Sequence, residues 1–116
     1  MKIAITGTRT FTDYKAFSAE ISKLSPNEII TGGAKGADSQ GGRYANENNI
    51  PLKVFLPKFK TDKTVKYHPR WYLERNKEIV KYCDVILAFW DKKSKGTQFT
   101  INYAKKIGKQ VIIFPI

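Results

Sequence analysis

Glu28-Ile29-Ile30-Thr31-Gly32-Gly33-Ala34-Lys35-Gly36-Ala37-Asp38 is the stretch that decides the fold of this chain. A short apolar run enters a turn with three glycines, and a segment suited to a helix follows from about Ala37 to Asn48. Asn49 and Pro51 stop that helix, and Leu52-Lys53-Val54-Phe55 reads as the next strand. Strand, glycine turn, helix and strand make one βαβ unit, the element from which parallel sheets are built.

Working outward, the same alternation holds on both sides. Upstream, Ile3-Ala4-Ile5 ends in Thr6-Gly7-Thr8, and Tyr14, Phe17, Ile21 and Leu24 recur at helical spacing between Asp13 and Leu24 before Ser25-Pro26-Asn27 breaks the pattern. Downstream, a loop over Pro57 to Arg70 carries Lys58, Lys60, Lys63, Lys66 and Arg70 with Phe59, Tyr67 and His68. A helix is expected from Trp71 to Tyr82, with Tyr72, Ile79 and Val80 as core contacts, then a strand over Val85 to Trp90. Gly96-Thr97 opens a helix to Ile107 that Gly108 caps, and Val111-Ile112-Ile113-Phe114 is the last strand. Five strands alternate with four helices, and most of the strands are continuously apolar. That pattern predicts an α/β, Rossmann-like, doubly wound sandwich: a five-stranded parallel sheet with helices on both faces, in one domain over residues 1–116.

Composition narrows the function classes. Lysine and arginine number 21 against 10 acidic residues, a net charge of +11 that attracts polyanions. The longest apolar run, Val85 to Trp90, is far short of a membrane span, and Met1 to Ile5 reaches Gly7 too soon for the core of a secretory signal. The one cysteine, Cys83, rules out an internal disulfide and reads as a buried free thiol. A cytoplasmic location is expected. His68 is the only histidine and no cysteine or carboxylate cluster has ligand spacing, so neither a metal nor a cofactor is called for.

In a parallel sheet every strand-to-helix loop emerges on one edge, and ligands bind there at the point where strand order reverses. The loops at that edge are Gly7-Thr8-Arg9, Thr31 to Asp38, the basic segment after Pro57, and Asp91 to Thr97. Each carries a cation and three carry glycine. Glycine permits positive φ and close backbone approach, and a helix start offers free N–H groups and partial positive charge to a phosphate. Gly32, Gly33, Ala34, Lys35, Gly36, Gly96 and Thr97 are therefore candidate phosphate contacts, with Ser94 adding a hydroxyl. Asp38 either complements the helix dipole, or accepts from a ribose or base edge, or orients Lys35. The spacing matches neither Gly-x-x-x-x-Gly-Lys-[Ser/Thr] nor Gly-x-Gly-x-x-Gly, which argues against a metal-bound triphosphate loop and an ordinary NAD dehydrogenase.

The motifs Gly7-Thr8-Arg9-Thr10-Phe11, Thr31 to Asp38, Glu74-Arg75-Asn76, Phe89-Trp90-Asp91 and Ser94-x-Gly96-Thr97 resemble, in order, those of the SLOG superfamily and within it the small YspA-like, YpsA-related branch. That resemblance implies a Rossmann-like domain that senses or processes nucleotide derivatives and forms homodimers. It gives Arg75 the role of a ligand-facing arginine. In a binding module Arg9 and Arg75 would neutralise phosphate, Asp38 and Asn76 would read sugar or base, and Asp91 opens the loop to Thr97 at the same edge. The superfamily also holds the Lonely Guy phosphoribohydrolases and DprA, which binds single-stranded DNA. In the phosphoribohydrolases a glutamate follows the Gly-Thr loop, and Thr100 stands at that position here. Threonine can neither act as a carboxylate base nor stabilise an oxocarbenium ion. The expectation is a nucleotide-derivative binding protein without turnover. Single-stranded nucleic-acid binding is the second reading and hydrolysis of a nucleoside monophosphate at its N-glycosidic bond the third.

Overall fold

The computed structural model describes all of residues 1–116. Its elements run β1 (Lys2–Gly7), α1 (Tyr14–Ser22), β2 (Glu28–Thr31), α2 (Ala37–Glu47), β3 (Leu52–Val54), α3 (Lys58–Thr61), α4 (Arg70–Tyr82), β4 (Val85–Trp90), α5 (Lys95–Lys106) and β5 (Gln110–Pro115). The strands form one sheet in the order β3-β2-β1-β4-β5, and every neighbouring pair is parallel. The chain winds outward from β1 to β3, then returns to lay β4 on the other side of β1. The switch point therefore lies between β1 and β4, paired from Ile3↔Val85 to Gly7↔Phe89.

Strand alternation sorts the core into two layers. Ile3, Ile5, Ile29, Leu87 and Phe89 pack with Phe17 and Ile21 of α1 and with Ala37 and Ala45 of α2. Ala4, Ile30 and Ile86 point the other way, onto Ile79 and Val80 of α4 and Ala104 of α5. The central strands must be apolar throughout because both faces are covered. β3 differs: Leu52, Lys53 and Val54 are all exposed, since this three-residue strand is an edge.

Local chemistry sets the helix ends, at Asn49 and Gly108 as expected from the sequence and at Asp13 through a side-chain cap. Asp13 caps α1 by accepting from the Ala16 N–H at 3.0 Å. Gly108, at φ +82°, ends α5 in a Schellman turn, with Lys109 N–H donating to Ala104 O and Gly108 N–H to Lys105 O. Asn49, at φ +53°, does the same for α2 through Ile50 N–H and Ala45 O. Cys83 is fully buried, and burial pushes its thiol up to about 11. Two expectations change. The segment after Pro57 contains the single-turn helix α3, and Tyr72 leaves the core to stand half-exposed at the loop edge.

Candidate functional site

The loop after β1 is held firmly against β4. Thr8 N–H donates to Phe89 O at 3.0 Å, Thr8 Oγ1 accepts from Asp91 N–H at 3.3 Å, and Phe11 stacks on Phe89 with ring centroids 4.8 Å apart. Between these anchors Arg9 stays exposed. Across the switch point Asp91 folds the loop after β4, its Oδ1 accepting from the Lys93 and Ser94 N–H groups at 2.8 Å each. Those N–H groups, Ser94 first, hold the Asp91 carboxyl below its ordinary value. Ser94 then caps α5: its Oγ accepts from Thr97 N–H and lies 3.1 Å from Thr97 Oγ1.

The glycines at these turns divide by what stands against them. A Cβ on Gly7 would meet Phe89 O at 2.6 Å and Ala37 Cβ at 2.7 Å, so this glycine lets α2 close onto the switch point. Gly36, at φ +77°, lies against the Thr8 and Arg9 backbone, and a Cβ on Gly32 would run into the Arg75 guanidinium at 2.5–2.6 Å. Gly33, at φ +73°, faces Val54, and a Cβ there would stand 3.1 Å from Val54 Cγ1, a tight contact that the valine would have to relieve. At Gly96, in the first turn of α5, nothing lies within 4 Å.

Arg75 is the hub. It is 9% exposed, yet its side chain reaches across the sheet edge. Nη1 donates to Gly32 O at 2.6 Å and to Phe55 O at 3.2 Å, and Nε donates to Asn76 Oδ1 at 2.9 Å. The guanidinium thus ties the ends of β2 and β3 to α4, while Nη2 makes no hydrogen bond within the chain. Burial holds its pKa below the ordinary arginine value, with the Asp38 charge opposing. Asp38 is engaged as well: Oδ2 accepts from the Gly32 N–H at 3.0 Å and the Ala34 N–H at 3.2 Å, closing its own loop. Burial raises its carboxyl, against the pull of those two N–H groups and of Arg75 and Arg9.

Two recesses open at this edge and share Arg9, Ala34, Tyr72 and Arg75 as a common wall. The cationic recess, about 310 Å³, is completed by Gly32, Gly33, Lys35, Pro57 and Lys60. The hydroxyl recess, about 130 Å³, is completed by Thr6, Gly7, Asp38, Leu73, Asn76, Ser94, Gly96 and Thr97. Together they reach the lower end of the roughly 300–1,000 Å³ typical of small-molecule sites. Twelve of the fifteen candidate residues line one or both, and the other three support the walls: Thr8 and Asp91 link the two loops, and Gly36 seats α2. Tyr72 and Lys60 are additions. Tyr72 reads as a core residue from its helical spacing, and its ring instead packs on Phe59 at 5.5 Å and stands 5.7 Å from the Arg75 guanidinium. Lys60 arrives on α3, a turn too short to announce itself by periodicity.

His68 lies apart from both recesses. Its Nδ1 accepts from Arg70 N–H at 3.0 Å, at the start of α4. Thr100 is 2% exposed, and its hydroxyl donates to Gly96 O at 3.1 Å.

The parallel sheet, its switch point and the paired recesses define a Rossmann-like domain with a polar cleft at its C-terminal edge. The chain belongs to the YspA, cpYpsA-related SLOG family, whose model matches residues 1–61, from β1 through α3. No curated protein sequence matches it. Among solved structures it is similar to DNA processing protein A (DprA) from Streptococcus pneumoniae, with 20% identity, a TM-score of 0.81 and coverage of 99% of this chain and 50% of that one. DNA processing protein A from Helicobacter pylori, a structure described for its single-stranded DNA binding mode, matches with 23% identity, a TM-score of 0.74 and coverage of 100% and 66%. The structural-genomics target TM1055 matches with 16% identity, a TM-score of 0.65 and coverage of 95% and 71%. The chain spans half the length of the pneumococcal protein and about two thirds of the Helicobacter one. At these identities the likeness is one of fold.

Proposed function

We propose that this protein binds a nucleotide or nucleotide-derived, phosphate-bearing small molecule in the two joined recesses, without turning it over. The observation that carries the reading is the bare first turn of α5. Gly96 has open space in front of it, the Ser94 and Thr97 side chains line the same recess, and Arg75 and Arg9 stand in its wall. A phosphate placed there meets free helix N–H groups, hydroxyls and two cations. Asn76, oriented by its bond to Arg75, lines the same recess with its amide group available to a sugar or base. The absence of turnover rests on Thr100, which is buried and bonded to its own helix where the phosphoribohydrolases place a carboxylate.

The test is a thermal-shift and calorimetry panel of nucleoside mono- and diphosphates and cyclic nucleotides, run on the natural chain and on Gly96→Ala. A ligand at about 100 times its Kd stabilises by roughly 2.7 kcal/mol, a shift of several degrees in a domain of this size. Gly96→Ala adds a methyl group to empty space at a helical position, so its Tm is expected to stay level or rise while nucleotide affinity falls at least tenfold. No shift with any nucleotide, or equal affinity in the variant, overturns the reading. Chromatography of the same mixtures for released base tests turnover.

A second reading, single-stranded nucleic-acid binding, is favoured by the segment after Pro57. Tyr67 is 64% exposed between Lys66 and His68, and the Trp71 ring has Arg70 at 4.6 Å and Lys58 at 5.4 Å. Exposed rings beside cations are how strand binders hold bases. Salt separates the two, because a strand contact weakens steeply with log salt and a pocket for one nucleotide weakly.

A further inference from the structure

The two recesses differ in chemistry, and the difference bears on how many phosphates the ligand carries. The cationic recess has four cations in its wall, Arg9, Lys35, Lys60 and Arg75, and no carboxylate. The hydroxyl recess shares Arg9 and Arg75, and adds three hydroxyl side chains, Asn76 and the Asp38 carboxylate. This contrast is not the +11 charge spread evenly over the surface. The neighbouring depression on the other side of Arg75 is lined by Glu74 and Glu78 beside Lys58, so acid and base are mixed there. Four cations with no carboxylate in the same wall meet in this compartment, against two at most in the other carboxylate-free depressions. It shares Arg9, Ala34, Tyr72 and Arg75 with the recess at the bare turn of Gly96.

Concentrating four cations in one recess carries a repulsive cost unless an anion enters. Arg75 is nine-tenths buried, and its Nη2 makes no hydrogen bond within the chain although Nη1 and Nε are fully engaged. Nη2 is not among the buried unpartnered atoms, so it is open at the recess and free to donate to an acceptor from outside the chain. One phosphate at the α5 turn accounts for the hydroxyl recess and leaves Lys35 and Lys60 unanswered.

We propose that the ligand is a nucleotide carrying at least two phosphoryl groups, one held at the first turn of α5 and the next in the cationic recess by Lys35 and Lys60, with Arg75 between them. The proposal rests on nucleotide binding at this site and adds the phosphate count. It assigns Lys60 and the short helix α3 a purpose: α3 delivers a cation opposite Lys35 from a segment that is otherwise surface.

The experiment is titration calorimetry with AMP, GMP, CMP and UMP against the matching diphosphates, and with a twelve-residue oligothymidylate. It uses the natural chain, a Lys35→Gln/Lys60→Gln double variant, and a Lys105→Gln/Lys106→Gln control that removes the same charge from the last turn of α5. In the natural chain and the control, the preferred base is expected to bind as diphosphate at least tenfold tighter than as monophosphate. In Lys35→Gln/Lys60→Gln that ratio is expected to fall to within about twofold of one. Equal binding of mono- and diphosphate by the natural chain overturns the phosphate count and leaves nucleotide binding standing. A ratio that falls equally in the control shows a general charge effect and also overturns it. Binding of the oligonucleotide alone, or of nothing, removes the nucleotide reading and this proposal with it.

Discussion

The turn between β2 and α2 and the turn between β4 and α5 carry similar sequences, glycine beside lysine at a helix start, yet the structure uses glycine in opposite ways at the two. At Gly32 and Gly36 the missing side chain makes room for the protein itself: the Arg75 guanidinium fills the first space and the Thr8–Arg9 backbone the second. At Gly96 the space is empty and faces the cleft. The first turn is a joint that locks Arg75, α2 and the loop after β1 together, and the second is a surface. A glycine-rich loop is therefore not evidence of ligand contact residue by residue; what matters is which glycine still has nothing in front of it.

That contrast can be broken or sharpened by substitution. The largest effect is expected at Gly36→Ala, which forces a Cβ both into left-handed φ and onto immovable backbone, for a loss of about 3 kcal/mol or more in urea unfolding. A loss under 1 kcal/mol would show that the joint is soft. Next, Arg75→Ala should destabilise by about 2–3 kcal/mol, because Gly32 O and Phe55 O lose a charged donor. Its double-mutant cycle with Gly32→Ala carries the sharper information. Gly32→Ala alone is expected to cost about 1–2 kcal/mol by overpacking. It should cost clearly less once the guanidinium is gone, and strict additivity would refute the pairing. Gly96→Ala should stabilise by up to about 1 kcal/mol while weakening nucleotide binding, as the bare turn requires.

The smallest effect is a slope. Burial raises the folded Asp38 carboxyl above its ordinary 3.8, so the unfolded chain releases this proton first. Asp38 therefore subtracts stability progressively as pH rises past 3.8, and the loss levels off above the folded pKa. Asp38→Asn keeps an oxygen acceptor for the Gly32 and Ala34 N–H groups and cannot ionise. Urea midpoints measured from pH 3.5 to 7 should shift in the variant's favour as pH rises; a shift the other way would mean that the loop N–H groups outweigh desolvation.

Much of the architecture can be read locally. Ile3-Ala4-Ile5 and Val85 to Trp90 are apolar on both faces because central parallel strands are covered on both, and the caps at Asp13 and Gly108 sit where their side chains, or lack of one, require. The set of loops at the binding edge follows from parallel topology alone, which is why most candidate residues do line the recesses. Three details are not local. α3 is a single turn and leaves no periodicity; Tyr72 has helical core spacing but no core partner left to meet; β3 keeps Leu52 and Val54 exposed because it lies at the sheet edge.

The sequence by itself determined the order of strands and helices, the parallel sheet, the family motifs and the edge at which cations and glycines gather, since each depends on residues near one another in the chain or on topology. Only the tertiary structure decided what those residues do there. Arg75 reads as a ligand arginine from its motif, yet its Nη1 is engaged by Gly32, 43 positions away, and by Phe55, 20 positions away. Contacts across such separations depend on how the elements pack, so only the folded chain distinguishes the glycine that seats an arginine from the glycine that leaves a helix bare.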